Sequence, residues 1–356
     1  MMKIVYDNII FSWQKFGGIS VVWQKLLSRI LEKPADIQII EYEGAGEHNI
    51  SRQHLTIPES MITSLGNSLF KIRRYQNPSP SLVKGNEKFI FHSSYYRVMK
   101  HPLAVNITTV HDFSYEFYED NPLAKLIHTW QKHRSIRRSD YIVCISENTR
   151  KDLQTLLPDI PAEKIRVIYN GIDAKYYRMA DAHVQDYALY VGKRTKYKNF
   201  NALIEPLSQL NMRLKIVGPP LDKKEKRIMD DKGLQYDYCG IASESELNRL
   251  YNEAFCLLYT SLYEGFGLPV LEAQQAGCPV IAMNASSIPE VIGDKRLLID
   301  TISKESLGEK FSLLKDPAQR EDIIACGIEN VKRFSWDKMA DQYYELYAHA
   351  LNTKQQ

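Results

Sequence analysis

Glu264-Gly265-Phe266-Gly267-Leu268-Pro269-Val270-Leu271-Glu272 is the stretch on which the reading of this chain turns. It follows an apolar run, Phe255-Cys-Leu-Leu-Tyr-Thr-Ser261, with the length and composition of a buried strand. Pro269 is a residue that opens helices and Gly277 one that closes them, so a helix is predicted between them. Two carboxylates, two glycines and a new helix N-terminus therefore meet at the carboxyl end of a strand. Open α/β sheets bind their ligands there, and a helix N-terminus offers N–H groups to an anion.

Strand and helix signals alternate on both sides of this stretch. In the first half, strands are predicted at Lys3–Asn8, Asp36–Tyr42, Lys88–His92, Asn106–Val110 and Asp140–Ile145, with a helix over Ile19–Leu31. The second half restarts with strands at Tyr187–Val191, Arg213–Val217, Gln235–Cys239, Phe255–Tyr259 and Pro279–Ala282. Helices are expected from about Asn199, over Ser243–Glu253 and after Pro269. Such alternation means parallel sheets with right-handed crossovers, hence the α/β class. A polar stretch without period, Asp173–Gln185, separates the two series, and 356 residues suit two doubly wound domains sharing a cleft.

Composition narrows the function. An apolar fraction of 44% is enough for two proper cores. The cysteines (Cys144, Cys239, Cys256, Cys278, Cys326) are odd in number and lack a C-x-x-C pair, which reads as free thiols in a reducing compartment. Met-Met-Lys runs straight into a strand without an apolar leader, and no stretch approaches the roughly 18 apolar residues of a membrane span. A soluble cytoplasmic protein is expected. The net charge of +3 divides into +6 over residues 1–178 and −3 over the remainder. That asymmetry suits phosphate-bearing partners but is too weak for nucleic acid, none of whose motifs is present. Neither half has G-x-G-x-x-G after its first strand, which disfavours a nicotinamide or flavin cofactor. With no Asp-x-Asp pair and no His/Cys cluster at metal spacing, no metal and no cofactor is expected.

Without a metal, a phosphate-bearing substrate must be met by side chains and backbone N–H groups. Tyr190-Val-Gly192-Lys193-Arg194-Thr-Lys196-Tyr-Lys198-Asn199 places four basic residues directly after the second half's first strand, where they could clamp a diphosphate. In the first half, Gly17-Gly18 lies between a strand and a helix and lets backbone approach a ligand. His111-Asp112 follows the strand Asn106–Val110, where the histidine could bind a sugar hydroxyl and the aspartate orient it. Ser146 is placed to cap the helix after Cys144. Leu123, Leu126, Ile127 and Trp130 have helical spacing, with Lys132, Arg134, Arg137 and Arg138 close behind. That stripe is expected to face the core, with membrane contact as the second reading.

Together these motifs, in this order, resemble the family 4 retaining glycosyltransferases of the GT-B fold, of the bacterial polysaccharide or O-antigen type, along nearly the whole chain. The resemblance rests on Gly17-Gly18, His111-Asp112, Ile145-Ser146-Glu147, Ile168-Tyr-Asn170-Gly171-Ile-Asp173, and Tyr190-Val-Gly192 with Lys198-Asn199. The Glu264–Glu272 block, Ser286-Ser-Ile-Pro-Glu290-Val and Phe334-Ser-Trp336 complete it. It implies two Rossmann-like domains facing a cleft. Residues 1–178 would bind the acceptor, 179–336 the nucleotide sugar, and a C-terminal helix over about 337–356 would cross back to the first domain.

The family pattern implies roles for individual residues. Glu272 would hold the ribose hydroxyls and Glu264 the donor sugar, with N–H groups from Phe266 to Leu268, next to Gly265 and Gly267, on the sugar and diphosphate. Lys198 and Arg194, beside Gly192, would neutralise the leaving diphosphate. Here the loop departs from the pattern, reading Lys-Arg-Thr-Lys-Tyr-Lys where many relatives carry a single Arg and a later Arg-Lys, so Lys193 and Lys196 stay alternatives to Arg194. Gly17, Gly18 and Asp112 would lie on the acceptor side, with Gly18 against the diphosphate and His111 on the sugar.

The implied activity is transfer of a hexose from a GDP-, UDP- or dTDP-sugar, a co-substrate rather than a cofactor. The acceptor would be a saccharide or lipid-linked saccharide, the latter bringing peripheral contact with the inner face of the cell membrane. A nucleotide-sugar epimerase of the same fold and an inactive sugar-nucleotide-binding partner subunit are the alternatives.

Overall fold

The computed structural model describes residues 1–68 and 70–353, the side chain of Lys71 excepted. The chain forms two compact units, Met1–Gly171 completed by the segment from Trp336 onward, and Ile172–Ser335. The division thus falls after Gly171 rather than after 178. Asn248 and Asn252 are the reason: their Oδ1 atoms accept the Tyr177 N–H at 3.0 Å and the Met179 N–H at 2.7 Å. Ile172 also bridges to Ser335, which closes the second unit on itself.

Among the described residues, the first unit holds seven parallel strands. They are β1 (Met2–Asp7), β2 (Ala35–Tyr42), β3 (Ile62–Leu65), β4 (Phe89–Ser93), β5 (Ala104–Val110), β6 (Tyr141–Cys144) and β7 (Ile165–Val167). Their order is β3-β2-β1-β4-β5-β6-β7. The edge strands β3 and β7 carry no sequence signal; they are short, as edges tend to be, and only half-buried. Helix Gly18–Ile30 buries Val22, Trp23, Leu26, Leu27 and Ile30, a helical stripe against the sheet.

The C-terminal helix, Trp336–Thr353, packs on this first unit. Met339, Ala340, Tyr343, Leu346, Tyr347 and Ala350 are its buried face. Two of these tyrosines enter a buried polar network. His92 shares hydrogen bonds with the Tyr347 hydroxyl through Nδ1 (2.7 Å) and with the Thr109 hydroxyl through Nε2 (2.9 Å). Thr109 in turn meets the Tyr343 hydroxyl at 2.9 Å. Burial pushes the His92 pKa down to about 3, so the ring is neutral and its two nitrogens play one donor and one acceptor role.

One helix reverses its expected orientation. Over Pro122–Arg138 the buried residues are Gln131, Lys132, Ser135 and Ile136, whereas Leu123, Leu126, Ile127 and Trp130 are exposed by 65%, 66%, 37% and 54%. The apolar period is present, but it faces solvent. Lys132 occupies the inner face because its ammonium is satisfied there, donating to the Asp112 carbonyl and to Glu116 Oε2, both at 2.8 Å.

The second unit holds six described parallel strands, β8 (Tyr187–Val191), β9 (Arg213–Val217), β10 (Tyr236–Gly240), β11 (Cys256–Tyr259), β12 (Val280–Met283) and β13 (Leu298–Ile299), ordered β10-β9-β8-β11-β12-β13. Its core joins Tyr190, Phe200, Leu214, Ile216, Leu258 and Ile281 with Leu307, Phe311 and Leu314 of the helix Lys304–Lys315. The helix expected from Asn199 begins as two 3-10 turns, Lys196–Lys198 and Phe200–Leu203, because Asn199 adopts a left-handed conformation (φ 56°), and α-helix runs only over Ile204–Gln209. Ser243 caps the helix Glu244–Glu253 in a capping box with Glu246.

Tyr347→Phe leaves His92 Nδ1 without its partner in a dry site and is expected to destabilise the chain by about 1–3 kcal/mol. Tyr344→Phe, which removes an exposed bond to the Pro34 carbonyl, should cost well under about 1 kcal/mol. Urea unfolding midpoints of the two variants measure the difference.

Candidate active site

In the second unit the strand order reverses between β8 and β11: the chain leaves β8 toward β9 on one side and β11 toward β12 on the other. Connections diverging from adjacent strands leave a crevice at the strands' carboxyl ends. The loops that rim it are Gly192–Asn199 after β8 and Thr260–Gly267 after β11. Two hydrogen bonds tie them together, from the Leu262 N–H to the Tyr197 carbonyl (2.8 Å) and from the Thr260 hydroxyl to the Lys198 carbonyl (2.7 Å).

Lys198 and Glu264 meet at this seam. The Lys198 ammonium donates to Glu264 Oε1 at 2.5 Å, and the Tyr259 hydroxyl donates to the same oxygen at 2.6 Å. Burial and the Glu264 charge push the Tyr259 pKa well up, so it stays a protonated donor. Both bonds fall on Oε1, which leaves Oε2 to accept from a ligand hydroxyl. The Glu264 backbone is strapped down: Ser286 and Ser287 hydroxyls donate to its carbonyl at 2.7 and 3.0 Å, and Ser287 also donates to the Phe266 carbonyl at 2.8 Å. The Ser286-Ser287 pair of the sequence motif thus serves to fix the Glu264–Phe266 turn.

Directly after this turn, Gly267 caps the helix Leu268–Gln275 with φ 117°, and a Cβ there would stand 3.1 Å from Ile288 Cδ1. Only glycine suits both conditions. The helix's first turn aims N–H groups without intrahelical acceptors at the same end of the sheet. On the β8 side, Gly192 lies against Gly218, whose Cβ would fall 2.3 Å from the Gly192 carbonyl oxygen.

Glu272 sits one turn into this helix in different surroundings. The Tyr251 hydroxyl donates to its Oε2 at 3.0 Å. Burial pushes its pKa up to about 7, and the Tyr251 hydrogen bond and the Lys175 ammonium only partly offset that. Lys175 is itself held by Glu244 and, at 3.5 Å, by Asp173. Asp173, Lys175, Tyr176 and Tyr251 are therefore part of this site. Sequence reading missed the last three and placed Asp173 at the start of the polar stretch between the two series.

Arg194 is engaged by other residues of the second unit. Its guanidinium binds Glu225 through Nε (2.8 Å) and the carbonyls of Pro219 and Pro220 through Nη2 (2.8 and 2.9 Å), while Nη1 is buried without a partner. Glu225 also completes the capping box of helix Lys223–Asp231, so Arg194 joins the loop after β8 to the segment after β9. Lys193 and Lys196 are exposed.

The first unit repeats the plan, with its reversal between β1 and β4. Gly17 and Gly18 open the helix Gly18–Ile30, and a side chain at Gly18 would meet nothing within 4 Å, so packing within the chain does not demand glycine there. His111 is buried, and its pKa is pushed down to about 4, chiefly by burial, with Lys132 adding to it and Asp112 opposing it. Its imidazole is neutral near pH 7. Asp112 accepts the Ser114 N–H at 2.9 Å and hydroxyl at 2.7 Å; with the Lys132 charge, these hold its pKa below the usual range in spite of burial. Among the described residues, no group of three His, Cys, Asp or Glu side chains converges so as to hold a metal ion, and no helix is long and apolar enough to cross a membrane.

Comparison with known proteins bears on the family and the fold. Residues 16–176 match the family described as Glycosyltransferase Family 4, and residues 180–330 the one described as Glycosyl transferases group 1. The chain is similar to O-antigen chain mannosyltransferase B of Escherichia coli (28% identity, covering 74% of this chain and 75% of that protein). It is also similar to O-antigen chain mannosyltransferase RfbU of Salmonella typhimurium (27% identity, 72% and 73%). Its fold matches that of Anabaena HepE, solved in complex with UDP and glucose (TM-score 0.73, 15% identity, 98% of this chain and 100% of that one).

Because the folded-state pKa of Glu272 lies above the ordinary value of 4.5, the native chain keeps a proton that the unfolded chain releases between pH 4.5 and 7. The contribution of this group to stability therefore falls as pH rises through that window, by roughly 2–3 kcal/mol at most. Glu272→Gln, which cannot ionise, should melt above the unaltered chain at pH 8, and its advantage should vanish toward pH 5. Melting curves over that range test the assignment; a difference independent of pH would refute it.

Proposed function

Since the chain belongs to the family 4 glycosyltransferases of the GT-B fold, we propose that it moves a hexose from a nucleoside-diphosphate sugar to a saccharide or lipid-linked saccharide in surface-polysaccharide synthesis. On this reading configuration is retained and no metal is needed. The observation that carries the proposal is the Lys198–Glu264–Tyr259 contact, beside a helix N-terminus at the reversal of the second sheet. Two relatives named as mannosyltransferases favour mannose as the hexose, and the UDP in the HepE structure favours a nucleoside diphosphate as leaving group.

The bond to be broken joins the anomeric carbon to a diphosphate oxygen. As it lengthens, negative charge gathers on the departing phosphate and positive charge on the sugar. The Lys198 ammonium and the N–H groups from Phe266 to Leu268 stabilise the phosphate, fixed in place before the reaction and so without reorganisation during it. Glu264 accepts a hydroxyl of the transferred sugar through Oε2, and Glu272 accepts the ribose hydroxyls. Neither acts as general base, because Glu264 is engaged by Lys198 and Tyr259 and Glu272 by Tyr251. A double displacement needs a nucleophilic carboxylate facing the anomeric carbon, and on this reading both carboxylates are occupied with hydroxyls. The acceptor oxygen instead attacks on the leaving-group side, forming the new C–O bond as the old one breaks, and its proton passes to the departing phosphate oxygen. Gly17, Gly18 and Asp112 of the first unit serve the acceptor, and the neutral imidazole of His111 hydrogen-bonds a hydroxyl of the transferred sugar.

Thermal melting with GDP, UDP, dTDP and their hexose conjugates tests donor binding. A true ligand at 100 times its Kd adds roughly 2.7 kcal/mol, and no response to any of them would overturn the reading. Product anomeric configuration, read by NMR after transfer to a saccharide acceptor, tests retention. Donor turnover without acceptor would favour an epimerase, and donor binding without any turnover would favour an inactive subunit.

Lys198→Ala should lower kcat by about 10²–10³ while leaving the melting temperature within a few degrees. Arg194→Ala should behave in the opposite sense: it strands Glu225 and two carbonyls and is expected to destabilise the chain by about 1–3 kcal/mol, with a smaller effect on kcat. Paired kinetic and unfolding measurements separate the two; an equal catalytic loss would return Arg194 to the diphosphate.

A further inference from the structure

The helix Pro122–Arg138 carries a surface that neither the fold nor the proposed reaction uses. At 3.6 residues per turn, Leu123, Leu126, Ile127 and Trp130 occupy one face over its first half, and Arg134, Arg137 and Arg138 continue that same face to its end. The four apolar side chains are exposed, and Phe117 and Tyr118, in the short helix just before, are exposed by 44% and 36%. The helix contains no acidic residue. Arg137 pairs with Asp159 at 2.9 Å, whereas Arg134 lies over the Trp130 ring (4.9 Å) beside Arg138, and neither of those two arginines has a carboxylate partner among the described residues.

We infer that this face seats the first unit on an anionic lipid surface. Large apolar side chains leading into arginines on one helical arc, with a tryptophan between them, form the pattern of a helix lying in a membrane interface. A tryptophan presents an apolar ring and a polar N–H at the headgroup level. Charge decides between lipid and a second copy of the chain. A second copy brings the same guanidinium groups and no carboxylate from this helix, whereas anionic headgroups satisfy Arg134 and Arg138 directly. The inference stands on the helix surface and does not depend on the reaction proposed above.

The full chain is tested by co-sedimentation with vesicles of phosphatidylcholine alone and of phosphatidylcholine with phosphatidylglycerol. It should bind the anionic vesicles at low salt, release them at high salt and ignore the neutral ones. Emission should shift to the blue on binding, and Trp130→Phe should abolish the shift. Leu126→Ser/Trp130→Ser should abolish sedimentation, and Arg134→Ser/Arg138→Ser should weaken it roughly 30-fold, about fivefold for each charge. Because these side chains are exposed, both variants should keep the parental melting temperature and any nucleotide-induced melting shift, which separates failure here from failure of the proposed function. Absence of binding to anionic vesicles, or binding indifferent to both pairs of substitutions, would overturn the inference. So would a dimer in analytical ultracentrifugation that Leu126→Ser/Trp130→Ser dissolves.

Discussion

In each unit the connections diverge from two adjacent parallel strands, and everything chemical in the second unit follows from where this happens. Between β8 and β11 the departing chains part, so backbone cannot fill the space at the strands' carboxyl ends. The loop after β8 brings Lys198, the loop after β11 brings Glu264, and the end of β11 supplies Tyr259. In the first unit the same topological position, between β1 and β4, is taken by a buried ion pair of Asp7 and Arg97, to which Ser93 also donates. One reversal is thus sealed by an internal pair. The other keeps a partly exposed pair, with one carboxylate oxygen still able to accept.

The two carboxylates of the Glu264–Glu272 block, eight residues apart, acquire opposite character from their surroundings. Glu264 receives an ammonium and a phenol on one oxygen, and its backbone is strapped by two serines, so its position is over-determined. Glu272 stands among tyrosines, its nearest ammonium is shared with Asp173 and Glu244, and burial brings its pKa to about 7. A ribose diol would supply the hydrogen bonds that stabilise the ionised form. Ligand binding and deprotonation at Glu272 would then be linked, whereas Glu264 is already committed by its partners.

Much of this was legible in the sequence where local signals and global fold agree. The buried strands announce themselves as apolar runs, and Gly267, Ser146 and Ser243 follow from turn and cap chemistry. The edge strands β3, β7 and β13 were not legible, because two to four half-buried residues leave no period to read. For Arg194 the sequence shows a basic residue in a loop after a strand, whereas its bonds to the capping carboxylate of the helix Lys223–Asp231 are set by tertiary packing and leave no sequence signal. Tyr251, Tyr176 and Lys175 were invisible as site residues, since their spacing to Glu272 is set by tertiary packing and by no motif. Gly218 belongs with them: its importance lies in the Gly192 carbonyl pressed against it.

The reversed helix Pro122–Arg138 shows why periodicity alone cannot assign a face. A 3.6-residue period gives the direction of an apolar stripe only if apolar burial outweighs every other interaction open to the helix. On its opposite face, Lys132 finds Glu116, the Asp112 carbonyl and the Phe113 and Tyr96 rings, so the desolvation of its ammonium is compensated. Ser135 meets Thr108 at 2.8 Å and Gln131 donates to the Arg74 carbonyl at 3.1 Å, so these two side chains also find partners inside the unit. Turning the helix over would bury four apolar side chains worth about 1.5–3 kcal/mol each. Against that, it would strand Asp112 and Glu116 without their cation, a loss of about 3–5 kcal/mol for a broken buried pair. It would also carry Arg134 and Arg138 inward on the same face, each an unpaired ion whose desolvation costs several kcal/mol more. His111 would lose the charge of Lys132, which now helps to keep its imidazole neutral. The lysine side of the helix is therefore fixed inward by the residues around His111, and the apolar stripe points outward as its geometric consequence.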